Sequence, residues 1–384
     1  MTEARFLQIH TLHSYPGVLL NRDDTGQAKR LPYGGVLRTR ISSQCLKWHW
    51  RYPDGSPAQS TGTPAHEIHA LQNLAGFVDS KRSRALVKRE VIGPLRGSAY
   101  ADDILDVIEN GFDHVIYGES SDRVHQTLLF GRPELDWLRQ EAESIARKAT
   151  NADNADKRVK SWAAKYKQNI EALRASEVLP GGLVAALFGR MVTSDSKANI
   201  EAPIHVAHSF TVHAAETEDD LFIAADDLAN DQSAGADHLG STELTSGIFY
   251  GYVVVDMPGL IANCRNDRTL ASEVVNNLLY LIAEVSPGAK LGSTAPYSRS
   301  ALMLVESGDR QPRSLAAAFR KPVEPDFEPA ISALNEHLRA LDRIYETGEQ
   351  RRHLSFSQST LPHSRRLSMK ELAAWAADQV RESK

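Results

Sequence analysis

The sequence predicts an α+β fold in which one core of strands and helices is interrupted by a helical subdomain. Three observations predict it. Strand-like alternation occurs near both ends of the 384-residue chain, a strongly charged helical pattern lies between about residues 64 and 176, and Pro180-Gly181-Gly182 ends that pattern. Strands on both sides of a helical stretch favour a single core with an insertion.

The N-terminal elements follow from local patterns. Residues 5–13 alternate between apolar and polar and predict a first strand, and residues 14–35 form a Pro-, Gly-, Asn- and Asp-rich stretch that predicts a long loop. Residues 36–41 predict a second extended segment. Ser42 and Ser43 suit a helix N-terminus and predict a short helix that ends near Tyr52, before Pro53-Asp54-Gly55.

The later elements are read in the same way. The clearest helical stretch of the insertion runs from Glu134 to Ala175. Beyond the insertion the patterns predict strands at Leu183–Val192, Ile204–His213, Gly247–Val255 and Ala301–Val305, the last of the chain, and helices at about 270–285, 326–347 and 367–381.

Composition excludes several classes of protein. An apolar fraction of 42% with 24% charged residues is typical of a globular chain. Two cysteines, Cys45 and Cys264, cannot form a disulfide framework or a four-cysteine zinc site. The N-terminus lacks the apolar core of a signal peptide, and no apolar run approaches the ~20 residues that span a bilayer. We therefore expect a cytoplasmic protein without a membrane partner.

The net charge of −5 conceals a segregated charge distribution. Forty-nine acidic residues oppose forty-four basic ones, which argues against a polymer binder that is basic throughout. The stretch from Lys197 to Arg265 contains eleven acidic residues and has no Lys or Arg between its ends. Basic residues concentrate in two clusters, which are Arg22, Lys29, Arg30, Arg38, Arg40, Lys47 and Arg51, and then Lys81, Arg82, Arg84, Lys88, Arg89 and Arg96.

The predicted helix after Ile41 is the most informative element. At 100° per residue, Gln44, Lys47 and Arg51 fall within about 60° of one another, opposite Leu46 and Trp50. A serine-capped N-terminus followed by Gln, Lys and Arg on one face suits a phosphodiester backbone. The alternative is a solvated amphipathic helix with an ordinary cap. Basic residues of the preceding strand and loop favour the first interpretation, because they converge on the same region.

A set of motifs carries a resemblance to a known family. In chain order they are Asn21-Arg22-Asp23-Asp24, Tyr33-Gly34-Gly35, Arg38 to Lys47, Phe188 to Ser194, Val206 to His213, Ala225 to Leu228, His238-Leu239-Gly240, Ser246 to Tyr250 and Pro287 to Lys290. Together, across about residues 5–320, they resemble the CasC (Cse-type) backbone subunit of the type I-E CRISPR Cascade complex.

The resemblance implies a modified RNA-recognition-motif (ferredoxin-like) palm, a helical fingers insertion and a protruding thumb. Its implied boundaries are palm 1–60 with the guide-binding loop and helix, fingers 61–180, palm strands 181–213, thumb 214–243, and the remaining palm with the C-terminal helices 244–384. The implied role is non-enzymatic and needs no cofactor or metal: several copies form a helical filament on one CRISPR RNA for antiviral defence. The implied partners are the CRISPR RNA, further copies of the chain, the large, small, repeat-end-capping and RNA-processing subunits, and target DNA through the guide.

The resemblance also implies which residues touch RNA. Those expected on phosphates are Arg22, Lys29, Ser42, Gln44, Lys47 and Arg51, with Arg38 and Arg40 on the strand beside them. Met191 is expected to be an apolar wedge at a kink in the guide, with Arg190 next to it, and Phe222 and Leu239 to pack on bases. Two positions depart from the family: Leu221 stands where an aromatic residue is frequent and Cys45 where serine is common.

Two enzymatic alternatives stay open at this point. Asp24, adjacent to Asp23 in the loop, could assist RNA cleavage, as a loop aspartate does in related type III subunits, or it could cap the loop or pair with an arginine. The histidines could hold a metal, but on one strand His205 and His208 point to opposite faces, and His205 and His213 are about 26 Å apart. The geometry therefore argues against a zinc site.

The acidic stretch from Glu216 to Glu243 suggests a contact between copies. We expect its acids to face a basic surface of the neighbouring copy, for which the cluster from Lys81 to Arg96 is the candidate.

Overall fold

Twelve strands and ten α-helices, with short 3-10 and π-helical turns, occur in the residues that the computed structural model describes, which are 4–53, 67–118, 127–177, 179–192, 195–224 and 238–383. The strands are β1 Phe6–Val18, β2 Arg30–Tyr33, β3 Val36–Ile41, β4 Ser80–Ser83, β5 Leu128–Gly131, β6 Ile204–Val206, β7 Ser209–Thr211, β8 Glu216–Ala224, β9 His238–Asp256, β10 Leu302–Gly308, β11 Gln350–Ser355 and β12 Ser364–Arg366.

The helices are α1 Ser43–Arg51, α2 Asp102–Tyr117, α3 Arg132–Lys148, α4 Ala152–Ser176, α5 Gly182–Phe188, α6 Met257–Asn263, α7 Arg268–Glu284, α8 Leu291–Thr294, α9 Phe327–Tyr345 and α10 Met369–Glu382. Within the described part of the chain, none of them combines the length and the apolar character that crossing a bilayer demands.

The chain divides into two compact units. The first comprises Met1–Leu74, His205–Pro258 and Ala271–Lys384, and the second comprises Ala75–Ile204 and Gly259–Leu270. The second unit includes residues 181–204, which the resemblance implies to be part of the palm.

The first unit is built on a ten-stranded sheet. Eight of its strands follow the order β12-β11-β10-β1-β9-β7-β3-β2, and the other two, β6 and β8, pair with β9. β1 lies between β9 and β10 and is antiparallel to both, so that Ile9 faces Val253 on one side and Val305 on the other. The connection from β9 through α7 to β10 therefore skips one strand, which is the split βαβ arrangement of ferredoxin-like folds. The predicted α+β class with an RNA-recognition-motif-like palm is confirmed.

Helices and loops cover both faces of this sheet. Successive residues of β1 point to opposite faces. On one face, Ile9 and Thr11 line a small cavity together with Leu46 of α1 and Ile282 of α7. On the other face, Leu12 and aromatic residues of β7 and β9 pack against the segment around Phe319 and against the apolar side of α9. Because both faces are covered, polar residues of β1 such as His10 and Thr11 are buried together with its apolar residues.

The second unit has a core of its own between α2, α3 and α4. The rings of Phe112 and Trp162 stack in parallel with centroids 3.7 Å apart. Gly111 permits this approach, because a Cβ there would lie 2.2 Å from Cγ1 of Val159. The two short strands β4 and β5 pair antiparallel beside these helices.

Several sequence-based predictions of elements are wrong. Leu183–Val192, predicted as a strand, contains helix α5, since a short and wholly buried apolar run has no period that separates strand from helix. Ile204–His213 is two short strands, β6 and β7, interrupted at Ala207 and His208. The predicted loop 14–35 is shorter in the structure, because β1 extends into its start and β2 lies near its end. Two further strands, β11 and β12, follow the strand that was predicted to be the last.

Candidate nucleic-acid interface

The loop from Asn21 to Lys29 is held in place by side chains at its base. Oδ1 of Asp23 accepts hydrogen bonds from the backbone N–H and the hydroxyl of Thr25 and from the N–H of Gln27, at 2.7–3.1 Å. The hydroxyl of Thr25 and the loop amides hold the pKa of the Asp23 carboxyl below its usual range. Glu243 of β9 accepts from the N–H of Ala28 at 2.8 Å and pairs with Arg30. Asp23 is thus a loop cap, while Asp24 is exposed.

The hairpin of β2 and β3 brings Arg40 beside this loop. Gly34 and Gly35 form its turn with φ of +65° and +84°. A side chain at Gly34 would collide with the carbonyl of Arg320, so both the positive φ and the close approach require glycine there. The N–H of Arg40 donates to the carbonyl of Lys29 at 2.7 Å, which joins the end of the loop to β3.

Helix α1 begins at the same place. Ser42 is its N-cap: the hydroxyl accepts from the N–H of Cys45 at 3.2 Å, and the N–H of Ser42 donates to the side chain of Asn21 at 2.9 Å. The first turn carries no acidic residue, so the partial positive charge of the helix N-terminus is not offset there. Gln44 is exposed and Lys47 is half-buried on the following turn.

His208 marks the point at which these elements converge. Its Nδ1 lies 3.2 Å from the N–H nitrogen of Ser43 and 3.3 Å from Nη1 of Arg40. Partial desolvation, together with the positive charges of Arg40, Lys29 and Lys47, lowers the pKa of His208, which is exposed. Three cations from a loop, a strand and a helix therefore act on one histidine at the start of α1.

Three arginines predicted to bind RNA have other roles in the structure. Arg38 is fully buried and donates to the carbonyls of Tyr33, Thr211 and Phe319 at 2.9–3.2 Å. Arg51, at the end of α1, is buried and donates to the hydroxyl of Tyr52. In the second unit, Arg190 is buried against Glu134. Each guanidinium is held by protein groups in this structure, and contact of these three residues with RNA stays a prediction.

Ser42 is likewise buried and caps α1, and its predicted contact with a guide phosphate stays a prediction. By contrast, Arg22 is exposed, and Lys29 and Arg40 are half-buried.

The predicted base-contacting residues lie in other parts of the chain. Met191, beside Arg190 in the second unit, is 68% exposed although it is apolar. In the first unit, β8 and the first half of β9 form a two-stranded ribbon in which Phe222 pairs with Gly240 and Ile223 with Leu239. The side chains of Phe222 and Leu239, and the motif Ala225 to Leu228, lie outside the described residues.

The histidines do not form a metal site in the described structure. His205 lies on β6 and is exposed, His208 contacts Ser43 and Arg40, and His213 is buried with Nδ1 2.7 Å from the carbonyl of Ala214. No three His, Cys, Asp or Glu side chains among the described residues approach closely enough to hold a metal ion. The predicted separation of 26 Å between His205 and His213 assumes one continuous strand. The structure has two short strands, β6 and β7, in this segment.

Cys45 and His49 are neighbours but do not form an activated pair. Sγ of Cys45 is 3.7 Å from Nδ1 of His49, which itself lies 2.8 Å from the carbonyl of Cys45. Burial raises the pKa of the Cys45 thiol to about 11. The sulfur is therefore protonated at neutral pH and is a poor nucleophile.

The sheet face that RNA-recognition motifs use for stacking bases is closed. Tyr250 of β9 is buried, with its ring centroid 5.9 Å from that of Phe210 and 5.3 Å from that of Phe319. The hydroxyl of Tyr250 accepts from the N–H of Leu315, which fastens the covering segment to the sheet. Bases cannot stack on these aromatics as they do on an open four-stranded sheet.

A buried charged cluster on this covered face is absent from the sequence-based predictions. Glu306 of β10 is fully buried and accepts from Arg313 at 2.6 and 2.8 Å and from Arg351 at 2.6 Å. Nε2 of His10 lies 3.1 Å from the same carboxylate, and Asp342 of α9 pairs with Arg351. The signal for it in the sequence is His10 within the first strand and Glu306 directly after the apolar run 302–305.

Known proteins resemble this chain in sequence and in fold. A family model described as CT1975-like protein matches residues 7–378. No curated protein matches the chain by sequence. A chain of a CRISPR RNA-guided surveillance complex described as pre-nicking is similar in fold, with 24% identity, a TM-score of 0.75, and coverage of 97% of this chain and 100% of that chain. A chain of another CRISPR RNA-guided surveillance complex has 20% identity and a TM-score of 0.65 over 96% and 99%.

Proposed function

We propose that this chain, which belongs to the CT1975-like protein family, is the subunit that holds CRISPR RNA along the backbone of a Cascade surveillance complex of type I-E. The observation that carries the proposal is the convergence of Lys29, Arg40 and Lys47 on His208 at the N-terminus of α1. Cations beside a helix N-terminus suit a phosphodiester backbone.

The closed sheet supports this location for the guide. With Tyr250 and Phe210 beneath Phe319, the usual stacking surface of the fold is unavailable. The loop, β3 and α1 together form a basic surface, which we call the guide surface. Its residues are Arg22, Lys29, Arg40, Gln44 and Lys47. It offers charge and polar donors without base-edge readout, which suits a protein that must hold any guide sequence.

The exposed apolar side chain of Met191 supports a second type of contact. An apolar side chain left in water gains free energy when it meets an apolar partner, and the face of a base is such a partner. We assign Met191 to a wedge at a kink in the guide, and Phe222 and Leu239 to base packing at the thumb.

We assign no catalytic residue. Several copies of the chain would form a helical filament on one guide, and other subunits would cap its ends and present the target DNA, which base pairing reads. Cleavage of the target would belong to another protein.

Sequencing of the nucleic acid that co-purifies with the protein from its own host tests this function. We expect RNAs of uniform length that share a repeat-derived end and differ in the remainder. A random mixture of cellular RNA, or DNA alone, would contradict the proposal.

A further inference from the structure

His208 occupies the gap between β6 and β7 and contacts two elements of the guide surface. Its Nδ1 is 3.2 Å from the amide nitrogen of Ser43, in the first turn of α1, and 3.3 Å from Nη1 of Arg40 on β3. One ring nitrogen thus meets a helix amide and a guanidinium at once.

These contacts fix the protonation of the ring. An N–H of Ser43 and an N–H of Arg40 are both donors, and a guanidinium is always protonated, so Nδ1 must accept. A neutral imidazole that accepts at Nδ1 carries its proton on Nε2. Arg40 is held from a second side, because its Nε donates to the carbonyl of Arg30 at 3.3 Å. The guanidinium therefore has a fixed orientation beside the helix N-terminus.

We propose that His208 is a positioning residue for guide binding, whose neutral ring orients Arg40 towards the RNA backbone beside the first turn of α1. This inference rests on the proposed function. Arg40 meets phosphate, and His208 acts through it. An oriented guanidinium loses less conformational entropy on binding than a mobile one.

The surroundings keep the ring neutral. Partial desolvation is the first cause of the lowered pKa of His208, a residue that is exposed on the surface. The positive charge of Arg40 on β3 follows and, more weakly, those of Lys29 in the loop and Lys47 on α1. The backbone of Ile41 acts in the opposite direction. The arrangement is present above the pKa of His208 and is lost as pH falls through it, because a protonated Nδ1 cannot accept and repels Arg40.

Four variants of the full chain test the role with a labelled single-stranded RNA of mixed sequence as the probe: two single substitutions of His208, Arg40→Ala, and Arg40→Ala combined with His208→Leu. His208→Asn keeps an acceptor near the position of Nδ1, and His208→Leu removes it at similar volume. We expect the Leu variant to bind about fivefold more weakly and the Asn variant to remain within about twofold of wild type. In an Arg40→Ala background, His208→Leu should have no further effect, because the pair acts as one unit. Equal losses in both variants, or additive losses with Arg40→Ala, would overturn the proposal.

The pH profile gives an answer even if the Leu variant does not fold. Between about pH 8 and pH 5.5, wild type should lose affinity relative to His208→Asn, which does not titrate in this range. A relative gain would show that a protonated His208 binds phosphate directly and would overturn the positioning role.

The variant Lys47→Ala distinguishes failure of this inference from failure of the proposed function. If Lys47→Ala weakens RNA binding while the His208 variants do not, only the inference on His208 fails. If Lys47→Ala has no effect on RNA binding, the proposed function fails.

Discussion

Nη1 of Arg190 lies 2.6 Å from Oε2 of Glu134, and both side chains are buried in the second unit. Arg174 donates to the other carboxylate oxygen at 2.6 Å. The buried carboxylate therefore joins α3 to α4 and to the residue that precedes Met191. This pairing separates two neighbours in sequence: Arg190 stabilises the unit, and Met191 is left on its surface.

Replacement of Glu134 should destabilise the protein strongly. Glu134→Gln leaves two arginines without this counter-ion, and removing one partner of a buried pair costs about 3–5 kcal/mol of unfolding free energy. Chemical denaturation followed by tryptophan fluorescence measures it. Met191→Ser is the matched control, because an exposed substitution changes stability by about 0.5 kcal/mol or less. Similar losses in both variants would contradict the assignment.

Met191→Ser should instead weaken RNA binding. Loss of an apolar contact with a base is worth about 1–3 kcal/mol. The measurement is the affinity of the assembled complex for its guide. The control is Ser196→Ala, which changes an exposed position in the same unit and should leave the affinity as it is. An unchanged affinity for Met191→Ser would exclude the wedge.

The cluster around Glu306 should make stability depend on pH. Burial lowers the pKa of His10 despite the adjacent Glu306 carboxylate, and the positive charges of Arg313 and Arg351 lower it further. A histidine that is kept neutral in the folded state contributes stability above about pH 6.5 and loses it as pH falls below that value. His10→Gln removes this titration. The difference in Tm between wild type and His10→Gln should therefore narrow from about pH 7.5 to pH 5.

If the difference in Tm between wild type and His10→Gln widened as the pH fell, His10 would be charged in the folded protein. Ser196→Ala, at an exposed position without a titratable group, is the control, and its difference in Tm from wild type should show no comparable trend.

Replacement of Asp23 and replacement of Asp24 should have different effects on RNA binding. Asp23→Ala removes the acceptor for three donors in the loop, which should weaken RNA binding about threefold, because Arg22 and Lys29 then lose a fixed position. Asp24→Ala should leave binding unchanged.

Incubation of the guide-bound protein with a complementary RNA and Mg²⁺ should give no cleavage with wild type. Regularly spaced cuts that Asp24→Ala abolishes would establish a ribonuclease instead.

The acidic ribbon of β8 and the first half of β9 should influence assembly and leave the affinity of one copy unchanged. On β8, Asp219 and Asp220 are exposed, next to Leu221, which is 61% exposed. Of the basic cluster predicted to face them in a neighbouring copy, Arg96 is already paired with Asp102, Asp106 and Glu109 in its own unit. Four exposed cations of the cluster are candidates for the contact: Arg82, Arg84, Lys88 and Arg89.

The double reversal Asp219→Lys with Asp220→Lys should shorten assemblies on a long RNA, as measured by analytical ultracentrifugation. The control reverses two other exposed acids, Asp309→Lys with Glu324→Lys, and changes the net charge equally. Assemblies of wild-type length from the first variant would exclude the contact between copies.

The sequence predicts the core of this fold because periodicity survives where one face of an element is buried. Helix α1 and strand β3 lie where their patterns place them. Helix α5 has no helical period in the sequence, because every residue from Gly182 to Leu187 is buried and the helix has no polar face. The break at Ala207 and His208 is also hidden, because alternation continues through it in the sequence.

The candidate site could be predicted only in part for a related reason. Charge can be read from sequence, but burial of an arginine depends on carbonyls that tertiary structure supplies. Arg38 and Arg40 lie two residues apart on β3, yet the first reaches the carbonyls of Thr211 and Phe319 and the second reaches His208. The sequence suggests His208 only as a metal ligand, because its partners Ser43 and Arg40 are more than 160 residues away in the chain.

The salt dependence of RNA affinity tests the guide surface most directly. For a single-stranded nucleic acid, the slope of log affinity against log salt is about −0.7 for each phosphate neutralised. Lys29→Ala and Lys47→Ala should each reduce the steepness by about that amount, while Lys167→Ala, an exposed lysine on α4, should leave it unchanged. Wild-type slopes in both guide-surface variants would contradict the claim that RNA lies along this surface.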